Sequence, residues 1–124
     1  MTSTELASEL GLIYQRISQP LDREVVGLMD EMLERCEWLA RSSELLAEAQ
    51  FILDKARGEA AEKLSQTKFG ASILREFIGN LVAEETRLRN LADRLNVTIT
   101  HQLDAIRTKI SFEKSLSQQT MPRQ

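Results

Sequence analysis

Apolar residues recur every three or four positions along almost the whole chain, and this spacing predicts helices throughout. Leu6, Leu10, Ile13 and Ile17 mark one face of a first helix over about 4–17. Thr2-Ser3-Thr4-Glu5 supplies its start, a hydroxyl three residues before a glutamate. Ser18-Gln19-Pro20 ends it, because proline lacks an N–H and disfavours helix in the residue before it. Proline is tolerated in a first turn, so a second helix is expected from Pro20 to about Ser65.

In that second helix Val25, Met32, Leu39, Leu46, Leu53 and Ala60 fall at intervals of seven. Leu28, Cys36, Ser43, Ala49, Ala56 and Leu64 fill the alternate places of the seam, which predicts a buried Cys36. A second stripe of Leu33, Trp38, Leu45 and Ile52 widens the apolar face. A face that wide usually meets two neighbours. Ser65 to Gly70 reads as a turn in which Gly70 supplies backbone freedom and Phe69 packs over the tip. A third helix is expected over about 71–117, with Leu74, Leu81, Leu88 and Leu95 joined by Phe77, Ile78, Leu91 and Ala92. Ile99, Leu103, Ile106 and Ile110 carry the face onward. Asn96-Val-Thr-Ile-Thr100 has weak helix propensity, but the apolar spacing persists across it and favours a continuous helix.

The predicted fold class is therefore all-α: a long antiparallel, coiled-coil-like helical hairpin with a short N-terminal helix. It forms a single domain over 1–117 with a disordered tail over 118–124. Arms of about 45 residues would be about 68 Å long, and the first helix covers about a third of that. The exposed remainder predicts a dimer or higher oligomer, with Trp38, Leu45 and Ile52 at the interface.

Charge sharpens this picture. Residues 1–64 hold 7 Lys/Arg against 13 Asp/Glu, and residues 65–124 hold 9 against 6. The acidic arm and the basic arm suit each other, and the C-terminal arm is the better anion-binding surface. With one cysteine no intramolecular disulfide forms, and a cytoplasmic setting is expected. No apolar run reaches the roughly 20 residues of a membrane span, and Met1–Glu9 lacks the pattern of a secretory signal. No membrane partner is expected.

The candidate chemistry lies near the C-terminus. His101, Asp104, Arg107, Thr108, Ser111 and Lys114 share one helical row. Guanidinium, hydroxyls and ammonium suit a phosphate, with Asp104 orienting Arg107 or His101. The competing reading is a solvated row with i,i+3 ion pairs. Arg75, Arg87, Arg89 and Arg94 add positive charge, but stacking on single-stranded DNA needs exposed aromatics, and this arm offers only Phe77 and Phe112. Glu31 and Glu34 make half of an acidic nucleotide-hydrolysis pattern whose partners, Glu84, Glu85 and Asp93, are only approximate. No metal, cofactor or enzymatic turnover is expected.

The segment His101-Gln-Leu-Asp104-Ala-Ile-Arg107-Thr108-Lys-Ile-Ser111-Phe-Glu-Lys114 resembles the C-terminal part of small all-helical accessory proteins encoded in the early and recombination regions of tailed phages. The resemblance covers the last quarter of the chain, and Thr108 stands where serine is more usual. It implies a phage accessory protein in the host cytoplasm. The expected role is sequestering a phosphorylated nucleotide in counter-defence through the polar row; the alternatives are binding single-stranded DNA or a recombination protein, or serving as a coiled-coil adaptor without a ligand.

Overall fold

The computed structural model describes residues 1–21 and 24–120. They form four α-helices: α1 (Ser3–Ile17), α2 (Val25–Leu64), α3 (Ala71–Leu81) and α4 (Ala83–Thr120). The chain is all-α, and no helix among the described residues is long and apolar enough to cross a membrane. α1 starts where the sequence places it. The Thr2 hydroxyl accepts from the Glu5 N–H at 3.1 Å, and the Glu5 carboxylate accepts from the Thr2 N–H at 3.2 Å. Its last turn closes with the Ser18 hydroxyl donating to the Tyr14 carbonyl at 2.7 Å.

α2 begins at Val25 rather than at Pro20. Glu24 is its extended N-cap residue. Leu21 and Val25 both pack against the cluster of Leu28, Ile106 and Ile110.

α2 and α4 lie side by side in opposite directions. Three bonds fix the register: Arg35 Nε to Gln102 Oε1 at 3.0 Å, Asn96 Nδ2 to Ser43 Oγ at 2.8 Å, and Arg89 Nε to Gln50 Oε1 at 3.0 Å. α1 lies antiparallel to α2 across its middle. Glu9 pairs with Arg41, Arg16 pairs with Glu34, and the N-terminal ammonium lies 3.8 Å from Glu48. The main core sits where the three helices meet. Leu6, Leu10, Ile13 and Ile17 of α1 pack there on Leu45, Ala49, Leu88, Ala92, Leu95, Ile99 and Leu103. Smaller clusters lie beyond it, Leu28 with Ile106 and Ile110 at one end and Leu53 with Ala60 and Val82 at the other.

The phase of α2 differs by one residue from the expected seam. Leu28, Arg35, Ser42 and Ala49 are buried at intervals of seven, while Cys36 and Ser43 are exposed. The anchors Leu28 and Ala49 decide this, because steps of seven from either land on Arg35 and Ser42. Both polar residues are satisfied: Arg35 by Gln102, and Ser42 by donating to the Leu39 carbonyl and accepting from Asn96. On α4 the buried set repeats every eleven residues, as Leu88–Ile99–Ile110, Ala92–Leu103 and Leu95–Ile106. An eleven-residue period is about 3.67 per turn, so this row stays on one face of a nearly straight helix.

The expected third helix is divided at Val82, whose φ of −109° and ψ of 22° leave the helical region. The distortion turns Val82 into the core and leaves Leu81 57% exposed, although the heptad pattern places Leu81 inside. Backbone bonding continues on both sides, from Val82 N to Ile78 O and from Thr86 N to Val82 O. Asn96 to Thr100 is unbroken helix. The Thr98 and Thr100 hydroxyls donate back to the Arg94 and Asn96 carbonyls at 2.9 and 3.0 Å, which seats these β-branched residues in the helix. Gly70 has φ −66°, open to any residue, so its special freedom is not used. Phe69 meets Phe77 edge-on, with ring centroids 5.5 Å apart. Residues 118–120, expected in a disordered tail, belong to α4. The rest of that tail, 121–124, lies outside the described residues.

Candidate functional site

The row foreseen on the C-terminal arm exists as a row. His101, Asp104, Arg107, Thr108, Ser111 and Lys114 are all exposed on α4. Arg107 Nη1 lies 3.7 Å from Asp104 Oδ1, an i,i+3 pair with both side chains more than half exposed. Such a pair contributes about 0.5 kcal/mol or less. A hollow of about 450 Å³ lies against α4, lined by Tyr14, Ile17, Leu91, Arg94, Leu95 and Gln102 among others, and none of the six row residues borders it.

Trp38, Leu45 and Ile52 belong to the main core of the single chain. Leu45 is 1% exposed, and Trp38 and Ile52 are half-buried on the same core. α1 of the same molecule packs against this face. A 15-residue helix is about 22 Å long, enough to reach from Glu34 to Glu48.

A polar cluster not foreseen in the sequence ties the three helices together. Arg35 is 1% exposed. Its Nε donates to Gln102 Oε1, and Gln102 Nε2 donates at 2.8 Å to the Ile17 carbonyl at the end of α1. Glu34 accepts from Arg16 through both of its oxygens and from Trp38 Nε1 at 3.1 Å. Glu9 binds Arg41 in the same two-pronged way, at 2.8 and 2.6 Å. Among the described residues no buried side-chain nitrogen or oxygen lacks a partner, and no three His, Cys, Asp or Glu side chains gather as a metal site. This cluster holds α1 in register.

The clamps give α1 a pH dependence. Hydrogen bonding from Arg16 holds the Glu34 carboxyl below its ordinary value, and bonding from Arg41 does the same for Glu9, against opposing desolvation in both cases. A depressed carboxyl stabilises the fold above its unfolded pKa, here about 4.5, and loses that contribution as pH falls through the folded value. The urea midpoint will therefore fall on acidification below about pH 4.5. The Glu9→Gln, Glu34→Gln double variant will show a shallower fall. An equal fall in both proteins refutes the assignment.

An exposed apolar row runs along α2. Val26, Met29 and Leu33 are 73%, 45% and 63% exposed, and the exposed Cys36, Ala40, Ser43 and Ala47 continue their spacing of three and four along α2. The periodicity is visible in the sequence, but assigning Cys36 and Ser43 to the core hid it. With about 100° per residue, the α1 contacts Glu34, Trp38, Arg41, Leu45 and Glu48 lie to one side of the α4-facing row. The ladder lies to the other side. The Asn96–Ser43 and Arg89–Gln50 bonds bridge α2 and α4 on the ladder's side. The same projection puts Asp104, Arg107, Ser111 and Lys114 on this side too, so the polar row borders the apolar ladder.

Comparison with family models, curated proteins and solved structures finds no match to this chain. The likeness to phage accessory proteins therefore rests on the residue order of 101–114 alone.

Proposed function

We propose that this chain is a non-catalytic helical adaptor that acts by docking a helix onto the outer face of α2. The observation that carries this is the ladder Val26, Met29 and Leu33, whose side chains stand in water beside a core that buries its aliphatic residues almost completely. Exposing a contiguous apolar stripe costs solubility, and such stripes mark interaction surfaces. Spacing of three and four along some 20 residues suits an amphipathic helix with the same spacing.

A second reading keeps the polar row as a binder of a phosphorylated nucleotide, in a counter-defence role. Its support is Arg107, held only by an exposed 3.7 Å pair, with Ser111 and Lys114 on the same row. The single-stranded DNA reading has less support. Arg87 is engaged by Glu84 at 2.7 Å and Arg89 by Gln50, which leaves less charge for a phosphate backbone.

Two measurements separate these readings. Sedimentation velocity over a concentration series will show association that Leu33→Glu abolishes with the helical circular dichroism unchanged. Thermal shift with cyclic dinucleotides and ADP-ribose will show no gain. A gain lost on Arg107→Ala transfers the function to the polar row, since a ligand at 100 times its Kd adds about 2.7 kcal/mol.

A further inference from the structure

We propose that the cleft between α1 and α4 binds a single-headed aliphatic carboxylate, with its head on Arg94 and its chain on the apolar floor. The cleft lies across α4 from the α2 ladder and is a separate site from the docking face.

The cleft has the size and make-up of a small-molecule site. Its volume is about 450 Å³. Sites of that kind run to roughly 300–1,000 Å³. Ile17, Leu91 and Leu95, which belong to the main core or pack on it, form the floor. Leu91 and Gln102 both border the cleft, so it runs about 16 Å along α4. A floor drawn out along two parallel helices suits an extended chain better than a compact ring.

Charge defines the head. Arg94 is exposed at the cleft, and among the described residues its guanidinium has no hydrogen-bond or ion-pair partner. Tyr14, Ser18, Gln19, Thr98 and Gln102 supply the rest of the polar lining. All five are neutral, so no carboxylate lines the cleft beside Arg94. Ala7, Gly11, Tyr14 and Ser18, the residues of α1 spaced along this side, carry no charge. Glu84, on the same face of α4 about two turns before Leu91, is held by Arg87 at 2.7 Å. A guanidinium meets a carboxylate through two parallel N–H bonds. A phosphate monoester is a worse match, because it brings close to two charges to a single cation. The negative end of the α1 dipole also borders the cleft, at Ile17 and Ser18. That end places the head at Arg94 rather than beside Ser18.

Titration calorimetry with decanoate, decanol and decylamine, all below micelle formation, tests this. Decanoate will bind one to one and about tenfold more tightly than decanol, and decylamine will not bind. Octanoate, two methylenes shorter, will bind about tenfold more weakly than decanoate. Arg94→Gln will lower decanoate affinity to the level of decanol. Arg94 has no partner to lose, so the helical circular dichroism will stay unchanged. Arg94→Glu will reverse the preference, taking decylamine over decanoate. Thr98→Trp, which fills the cleft from its exposed edge, will block decanoate and decanol alike. Decanoate bound equally by wild type and Arg94→Gln overturns the head assignment, and no heat at millimolar decanoate overturns the site. Binding that Arg94→Gln keeps and Leu33→Glu removes puts the chain on the α2 ladder. That result overturns the cleft as the site and leaves the docking face standing.

Discussion

Replacing Gln102 with leucine will cost about 3 kcal/mol of stability, and most of that loss will return when Arg35 is replaced with methionine in the same chain. Gln102 serves two groups at once. Its carbonyl oxygen accepts from the guanidinium of Arg35, and its amide donates to the last carbonyl of α1. The Arg35 side chain is sealed, and its next anionic neighbour, Glu34, is 4.0 Å away and already engaged by Arg16. Leucine at 102 therefore removes the acceptor of a buried charged donor, a bond worth about 1.5–3 kcal/mol. It also strands a helix-end carbonyl, which costs about 1–3 kcal/mol unless water reaches it. Methionine at 35 removes the stranded charge with little change in volume, and apolar replacements of buried ionic groups are often neutral or stabilising. Urea unfolding of the wild type, both single variants and the double variant will give a coupling energy above about 1 kcal/mol, beyond the few tenths expected of independent sites. Additive costs would show that the Arg35–Gln102 bond contributes nothing.

The same residue explains what the sequence could and could not say. Hydrophobicity ranks positions one at a time, and at 35–36 it prefers a cysteine to an arginine. Burial on a helix is set by phase. Leu28 and Ala49 fix that phase from 7 and 14 residues away, and a shift of one position turns a side chain by about 100°. Gln102, the residue that makes a buried Arg35 tolerable, lies 67 positions along the chain, so no local pattern announces it. Val82 and Leu81 repeat the lesson, because a heptad rule carried through a helix distortion selects the wrong neighbour. Local chemistry, in contrast, was legible. The Thr2–Glu5 capping box depends only on residues three apart, and α1 starts there. The polar row on α4 was legible as a row for the same reason. What borders it was not, because the ladder belongs to another helix and its sequence signal was absorbed into a core assignment.

The other large effect concerns how α1 is held, and it weighs packing against charge. Leu10→Ala will cost about 3 kcal/mol, while Glu9→Gln, its neighbour in the chain, will cost about 1 kcal/mol or less. Leu6 and Leu10 are fully buried, and Ile13 and Ile17 nearly so, all on one face of a helix only 15 residues long. A helix of that length is marginal by itself in water, so its order comes from that face. Truncating Leu10 removes three buried carbons and leaves a cavity in the main core that close-packed neighbours refill only in part. Glu9 and Arg41 make a well-formed pair, but its side chains are 36% and 39% exposed, so water and salt screen much of the attraction. The two variants also part on added salt, because the Glu9→Gln loss shrinks as ionic strength rises and the Leu10→Ala loss does not. Limited proteolysis after Arg16 will follow the same order, fast in Leu10→Ala and near wild type in Glu9→Gln. Should Glu9→Gln prove the more damaging of the two, charge rather than apolar contact anchors α1, and the three-helix core is weaker than its burial implies.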